Sequence, residues 1–226
     1  DSGASTDYSK TNIQVEGVDE ADIIKTDGEY IYAVVKNDLF IVNAKPADTA
    51  EIISKIAFKS RPQEIYIDKD SLVVYGQKDQ IYDIIPYERF KRYTPNTFFK
   101  VFDISDKTNP KQVRDLSFEG SFNNSRMIGD YVYFVTNNYN YAYMADQPIM
   151  PRILDNGVEL SLDCASGVKC FMPDVYYFDI PYNSYNFTSV NTINVKDNTA
   201  QIKGDVYILD SNQNMYVSEK NIYITY

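Results

Sequence analysis

The feature that most constrains this chain is the stretch Glu29-Tyr30-Ile31-Tyr32-Ala33-Val34-Val35, in which neither alternating set of side chains is polar. Successive side chains of a strand point to opposite faces. Ile31, Ala33 and Val35 therefore project one way, and Tyr30, Tyr32 and Val34 the other. A strand that is apolar on both faces has to be covered on both, so the expectation is a sheet held between two neighbouring sheets. The polar turn feeding this run, Asp27-Gly28-Glu29, recurs before an apolar run at Asp68-Lys69-Asp70, at Gly129-Asp130 and at Glu219-Lys220-Asn221.

A short strand precedes each turn: 21–25, 63–67, 125–128 and 214–217. Two more follow each of the first three, at 38–43 and 51–58, at 98–104 and 112–118, and at 187–195 and 201–209. Antiparallel strands in repeated sets of four are the pattern of β-propeller blades. The content of 21 Tyr and 12 Phe suits such strands. The fold class read from the chain is thus all-β, an incomplete β-propeller of three blades plus the start of a fourth. A sandwich built from the same hairpins is the competing architecture. The boundaries are a lead-in over 1–19 and blades at about 20–60, 61–120, 121–210 and 211–226, with insertions at 77–97 and 137–186. Insertions in repeat folds map to loops on one face, often the working face. An open ring leaves end blades uncovered, so a C-terminal propeller portion or a partner chain is expected to complete it.

The chain contains no histidine. That removes Ser-His-Asp and Cys-His catalysis, His-ligated zinc and His-ligated haem, and no catalytic residue is assigned. Cys164 and Cys170 are the only cysteines, too few for a four-ligand zinc site. Closing the short loop between them as a disulfide is the simplest reading and implies an oxidising compartment; two unrelated thiols are the alternative. The formal charge of −10 repels phosphate backbones, so a nucleic-acid partner is not expected. No run approaches the ~20 apolar residues of a membrane helix. Asn123-Asn124-Ser125 and Asn186-Phe187-Thr188 are formal glycosylation acceptors.

Several longer motifs resemble a known family. Residues 11–32 (TNIQVEGVDEADIIKTDGEYIY) are similar to the opening signature of the secreted β-propeller domain family distantly related to WD40 repeats. Residues 101–110 (VFDISDKTNP), 118–133 (FEGSFNNSRMIGDYVY) and 215–224 (MYVSEKNIYI) resemble its second, third and fourth blade motifs. The resemblance implies an exported or cell-surface protein of bacteria or archaea, a propeller that continues beyond Tyr226, and no established activity to transfer.

Candidate sites follow from residue chemistry. Glu16, Asp19, Glu20, Asp22 and Asp27 form an acidic cluster. Crowded carboxylates repel unless a cation compensates, so Asp19, Glu20, Asp22 and Asp27 are candidate ligands for a hard ion such as Ca²⁺. The competing reading is that they cap turns and pair with basic residues of the blades. No cofactor is otherwise required. Arg126, on an inner strand, would hold a carboxylate ligand or pair with that cluster. Tyr139, Tyr141, Tyr143, Tyr176 and Tyr177, with Tyr182 and Tyr185, crowd the second insertion. Their amphipathic rings suit protein or carbohydrate contacts, or else pack the insertion down. Asp103, Asp106, Asn109 and Pro110 read as turn residues. The leading functional expectation is a non-catalytic extracellular binding or structural module. A polymer hydrolase with paired carboxylates and a subunit of a surface assembly are the alternatives.

Overall fold

The repeated turns are built alike. Gly28, Lys69 and Gly129 each occupy the left-handed region, at φ 94°, 52° and 55°, and each reverses the chain into an apolar strand. A computed structural model describes residues 15–83, 91–139, 150–164, 168–179, 181, 186–209, 214–218 and 220–225, without the side chains of 82, 83, 91, 92 and 139.

Strands β1 (Ile24–Thr26), β2 (Tyr30–Val35), β3 (Asp38–Asn43) and β4 (Glu51–Ala57) form a first antiparallel sheet in chain order. Strands β5 (Pro62–Asp68), β6 (Ser71–Asp83), β7 (Lys91–Asp103) and β8 (Lys111–Glu119) form the second in the same order. The third begins with β9 (Ser121–Ile128) and β10 (Tyr131–Tyr139). Three strands of the insertion follow: β11 (Ile153–Asp155), β12 (Val158–Glu159) and β13 (Val175–Tyr177). Strands β14 (Asn186–Asn194) and β15 (Lys203–Leu209) complete the third sheet, and β16 (Asn214–Val217) and β17 (Ile222–Thr225) form a further hairpin.

Bulges repeat along with the strands. Gln63 in β5 and Asn123 in β9 are each skipped at matching steps of their pairing with β6 and β10. Ile53 and Val113 are skipped at matching steps in β4 and β8. Three hydrophobic layers lie between successive sheets. Tyr32, Leu39 and Ile41 of the first pack on Ile65, Leu72, Val74 and Phe102 of the second. Phe99 and Phe118 of the second meet Phe134 of the third at centroid distances of 4.2 and 4.7 Å. Val135 and Val190 of the third meet Met215 and Val217 of the hairpin. These sheets are blades stacked face to face, not the two leaves of a sandwich.

Two expectations need correction. Strand β10 is buried from both sides, Val132, Phe134 and Val135 all being fully buried, but β2 is covered on one face alone. Ile31 and Val35 are 36% and 50% exposed, because the first blade has a packed neighbour on its Tyr32 face only. Nor is the long insertion simply a loop on one face. It lays β11 and β12 along the outer edge of the second blade and β13, in parallel, along the outer edge of the third. In the 77–97 insertion, residues 77–83 and 91–97 continue β6 and β7, which stay paired out to Asp83 and Lys91. Cys164 and Cys170 are joined as a disulfide. Asn186 is buried and Asn123 half-buried. Part of the lead-in is packed too, Val18 lying 2% exposed against Val135, Met215 and Val217.

Candidate functional site

Inner strands β5 and β9 run in the same direction along the propeller axis, and residues 15–22 cross the channel between them. Asp19 and Met127 exchange two backbone hydrogen bonds, N···O 2.8 and 2.9 Å. Asp22 and Ile65 exchange two more, at 3.3 and 2.9 Å. This strap brings Asp19 and Glu20 to the axis, where each meets a basic partner. The buried Lys25 donates to Asp19 at 2.6 Å, and Arg126 Nη2 lies 3.0 Å from Glu20. Arg126 Nη1 also donates to the Asn124 side chain and the Ser125 carbonyl. Asp22 accepts from the Ile23 N–H. Asp27 caps the first repeated turn, accepting from the N–H groups of Glu29 and Tyr30 and from the Tyr32 hydroxyl; Glu16 is exposed. Thus Asp19, Glu20, Asp22 and Asp27 do not gather into one oxygen cage. No group of three or more His, Cys, Asp or Glu side chains able to hold a metal occurs among the described residues.

Tyr176 and Tyr177 are not brought to Arg126 either. Tyr176 and Tyr177 lie on β13, at the outer rim of the third blade, 47% and 71% exposed. Tyr176 stacks on Tyr207 at 5.2 Å, whereas Arg126 lies at the axis. Tyr141, Tyr143, Tyr182, Tyr185 and the Tyr139 side chain lie outside the described residues. Asp103 and Asp106 take the backbone N–H groups of Ser105 and Thr108. Those hydrogen bonds, in Asp106 led by the one from the Thr108 hydroxyl, hold both carboxyls below the ordinary carboxylate range. They are turn residues.

The strand register places an open cleft at one mouth of the channel. Pro62 pairs with Gly76 and Ser121 with Asn137, so both insertions leave the end at which the inner strands begin. The tight β2–β3 turn, with Lys36 at φ 57°, emerges at that end as well. There a cleft of about 610 Å³ opens between the first and second blades. Ile23, Val34 and Pro62 line it, with the Phe122 ring tilted against that of Tyr75 at a centroid distance of 4.6 Å. Its polar lining is Lys36, Arg61, Gln63 and Gln77, and among the described residues none of these side chains is claimed by a partner. Gln63 is the bulged residue of β5, and a bulge re-aims a side chain. Glu64, whose carboxylate accepts from the Tyr75 hydroxyl, is the sole carboxylate on the cleft. Burial first, and then that hydrogen bond, push the Tyr75 phenol far up, so it stays a proton donor.

None of Lys36, Arg61, Gln63, Gln77 and Phe122 stands out as a sequence motif. The available signal was positional. Connections between blades and between second and third strands share one propeller end, which would have singled out Arg61 and Lys36.

Repeated four-stranded sheets stacked around a channel, with strands continuing from one mouth, define a β-propeller. The chain belongs to the Beta propeller domain family, which it matches over residues 8–226. It is 26% identical over 223 residues to an uncharacterised protein of Methanocaldococcus jannaschii and 25% identical over 222 residues to another of Archaeoglobus fulgidus. These matches cover 97% of the chain but 29% and 32% of the two relatives, so the chain spans roughly a third of their length. No solved structure matches.

Proposed function

We propose that this propeller is a non-catalytic binding module of an extracellular or cell-surface protein, with the mouth that carries the insertions as its contact face. The observation that carries the reading is the cleft at that mouth. It combines an apolar, partly aromatic floor with cationic and amide side chains that no other described residue engages, the composition of a small-ligand or side-chain pocket. Acid–base cleavage of a polymer needs two carboxyl groups across a cleft, and Glu64, bound to Tyr75, is the single one this lining provides. The disulfide supports an oxidising location.

A second contact belongs to the same proposal. On the outer face of the first blade Ile24, Ile31, Val35 and Ile52 are 53%, 36%, 50% and 62% exposed. Such a patch calls for a covering surface, and a further blade, from a longer chain or a partner chain, supplies one.

The test is binding of the immobilised protein to a panel of soluble polysaccharides and folded cell-envelope proteins. Gln77→Trp, which fills the cleft, should abolish the strongest interaction. Undiminished binding by that variant, with its circular dichroism unchanged, would refute the assignment of the contact face.

A further inference from the structure

We infer that the channel-mouth cleft takes an anionic saccharide, its carboxylate held by Lys36 and Arg61 and a sugar face laid on the Phe122 side of the floor. This rests on the proposal that the cleft is the contact face. Charge complementarity gives the sign of the ligand. In a chain of net charge −10, the cationic groups of the cleft are both unpaired among the described residues, while its carboxylate is already engaged by Tyr75. The axial cations Lys25 and Arg126 have carboxylate partners, so at this end of the inner strands Lys36 and Arg61 are the cations left to meet an anion in the cleft.

The remaining lining favours a sugar over an acidic peptide. Gln63 and Gln77 each present an amide donor and an amide acceptor, which match hydroxyl groups that both donate and accept. A peptide bound by strand addition would need a free strand edge. The cleft offers side chains: β6, which forms its wall through Tyr75 and Gln77, is paired on both sides by β5 and β7, and the outer edge of β5 is engaged at Ile65 by Asp22. Phe122 packs on the buried Tyr75 ring, giving a rigid apolar step for the C–H face of a pyranose. A volume of about 610 Å³ falls in the range of small-ligand pockets, room for a short oligosaccharide.

The experiment is isothermal titration of the protein with trigalacturonate, against cellotriose as the neutral sugar and a tri-glutamate peptide as the non-sugar anion. Trigalacturonate should bind at least about tenfold more tightly than either control, because a charge-assisted hydrogen bond and sugar contacts are each lost in one of them. Arg61→Gln and Lys36→Gln should each weaken it by about tenfold or more, and raised salt should weaken it further. Both residues are exposed, Lys36 in the β2–β3 turn and Arg61 in the connection before β5, so the variants should keep the native spectrum; should either unfold, the salt dependence and the two control ligands still decide. Equal affinity for tri-glutamate, insensitivity to salt, or absence of trigalacturonate binding overturns the inference. If trigalacturonate fails while Gln77→Trp still abolishes binding to another member of the panel, the cleft stands as the contact face and only the ligand class falls.

Discussion

Removing Asp155 should destabilise the protein far more than removing Arg114, although the two are partners in one buried ion pair. Arg114 in β8 is 2% exposed, with Nη2 3.1 Å and Nε 3.4 Å from the Asp155 oxygens and Nη2 2.8 Å from the Ala200 carbonyl. Asp155, in the inserted strand β11, also receives Lys169 at 3.2 Å. In Asp155→Ala the guanidinium stays buried with the Ala200 carbonyl as its one hydrogen-bond acceptor, its Nη1 having no partner, and with only the weaker attraction of Asp197 to offset its charge. A stranded buried charge costs about 3–5 kcal/mol. In Arg114→Met the carboxylate keeps Lys169, a side chain 58% exposed, so the loss should be nearer that of a charged hydrogen bond, about 1.5–3 kcal/mol. Arg114→Met with Asp155→Leu should recover most of the loss, since an apolar pair of similar volume often replaces a buried ion pair without penalty. Guanidinium unfolding followed by circular dichroism reads all three. The midpoint should fall in the order double variant, Arg114→Met, Asp155→Ala, with little change in slope. An Arg114→Met loss equal to or above that of Asp155→Ala would refute the reasoning, because it would show that Lys169 does not compensate.

Gly76→Ala should cost about 1–3 kcal/mol, because a methyl there would collide with the Arg61 carbonyl and lie 2.8 Å from the Phe98 ring; an unchanged melting temperature would contradict that packing. Val135→Ala should cost roughly 1–3 kcal/mol and Val35→Ala less than about 0.5 kcal/mol, since only the first is enclosed. Burial, and in Tyr75 also the Glu64 hydrogen bond, raise the Tyr66 and Tyr75 phenols above their ordinary value. Their folded pKa values therefore exceed the unfolded ones, and the stability they contribute is fully present below about pH 10 and lost as pH rises beyond it, at up to about 1.4 kcal/mol per unit for each. Flat stability from pH 10 to 12 would count against their burial. Millimolar Ca²⁺ or EDTA should leave the melting temperature unchanged, the axial carboxylates having basic or backbone partners; a rise with Ca²⁺ would reveal a site elsewhere.

The blades were legible because each strand needs an apolar side and each turn a residue fit for its dihedral, and both demands act locally. The repeat therefore shows at Asp27-Gly28, Asp68-Lys69 and Gly129-Asp130 even where the residues differ. Pairing of Arg126 with the acidic cluster was foreseeable from charge, and that of Cys164 with Cys170 from the absence of other cysteines. Strands β11, β12 and β13 were not. Each is two or three residues long, too short for alternation to register; β11 and β13 pair with the outer edges of blades, and β12 pairs with β11. The open face of β2 was misjudged for a related reason. Apolar residues say that a face must be covered, but not by which part of an assembly. The cleft was hidden most deeply, because Lys36, Arg61 and Gln77 converge only through strand register and the bulge at Gln63.

Hydroxyl-radical footprinting, with each rate normalised to the unfolded chain, tests most directly whether successive sheets are clamped together around the axis. The stacked blades require strong protection of Val132, Phe134 and Val135 on both sides of β10, and labelling of Ile31 and Val35 well above theirs. Comparable labelling of Phe134 and Ile31 would mean that the sheets do not stack, and the channel mouth with its cleft would go with them.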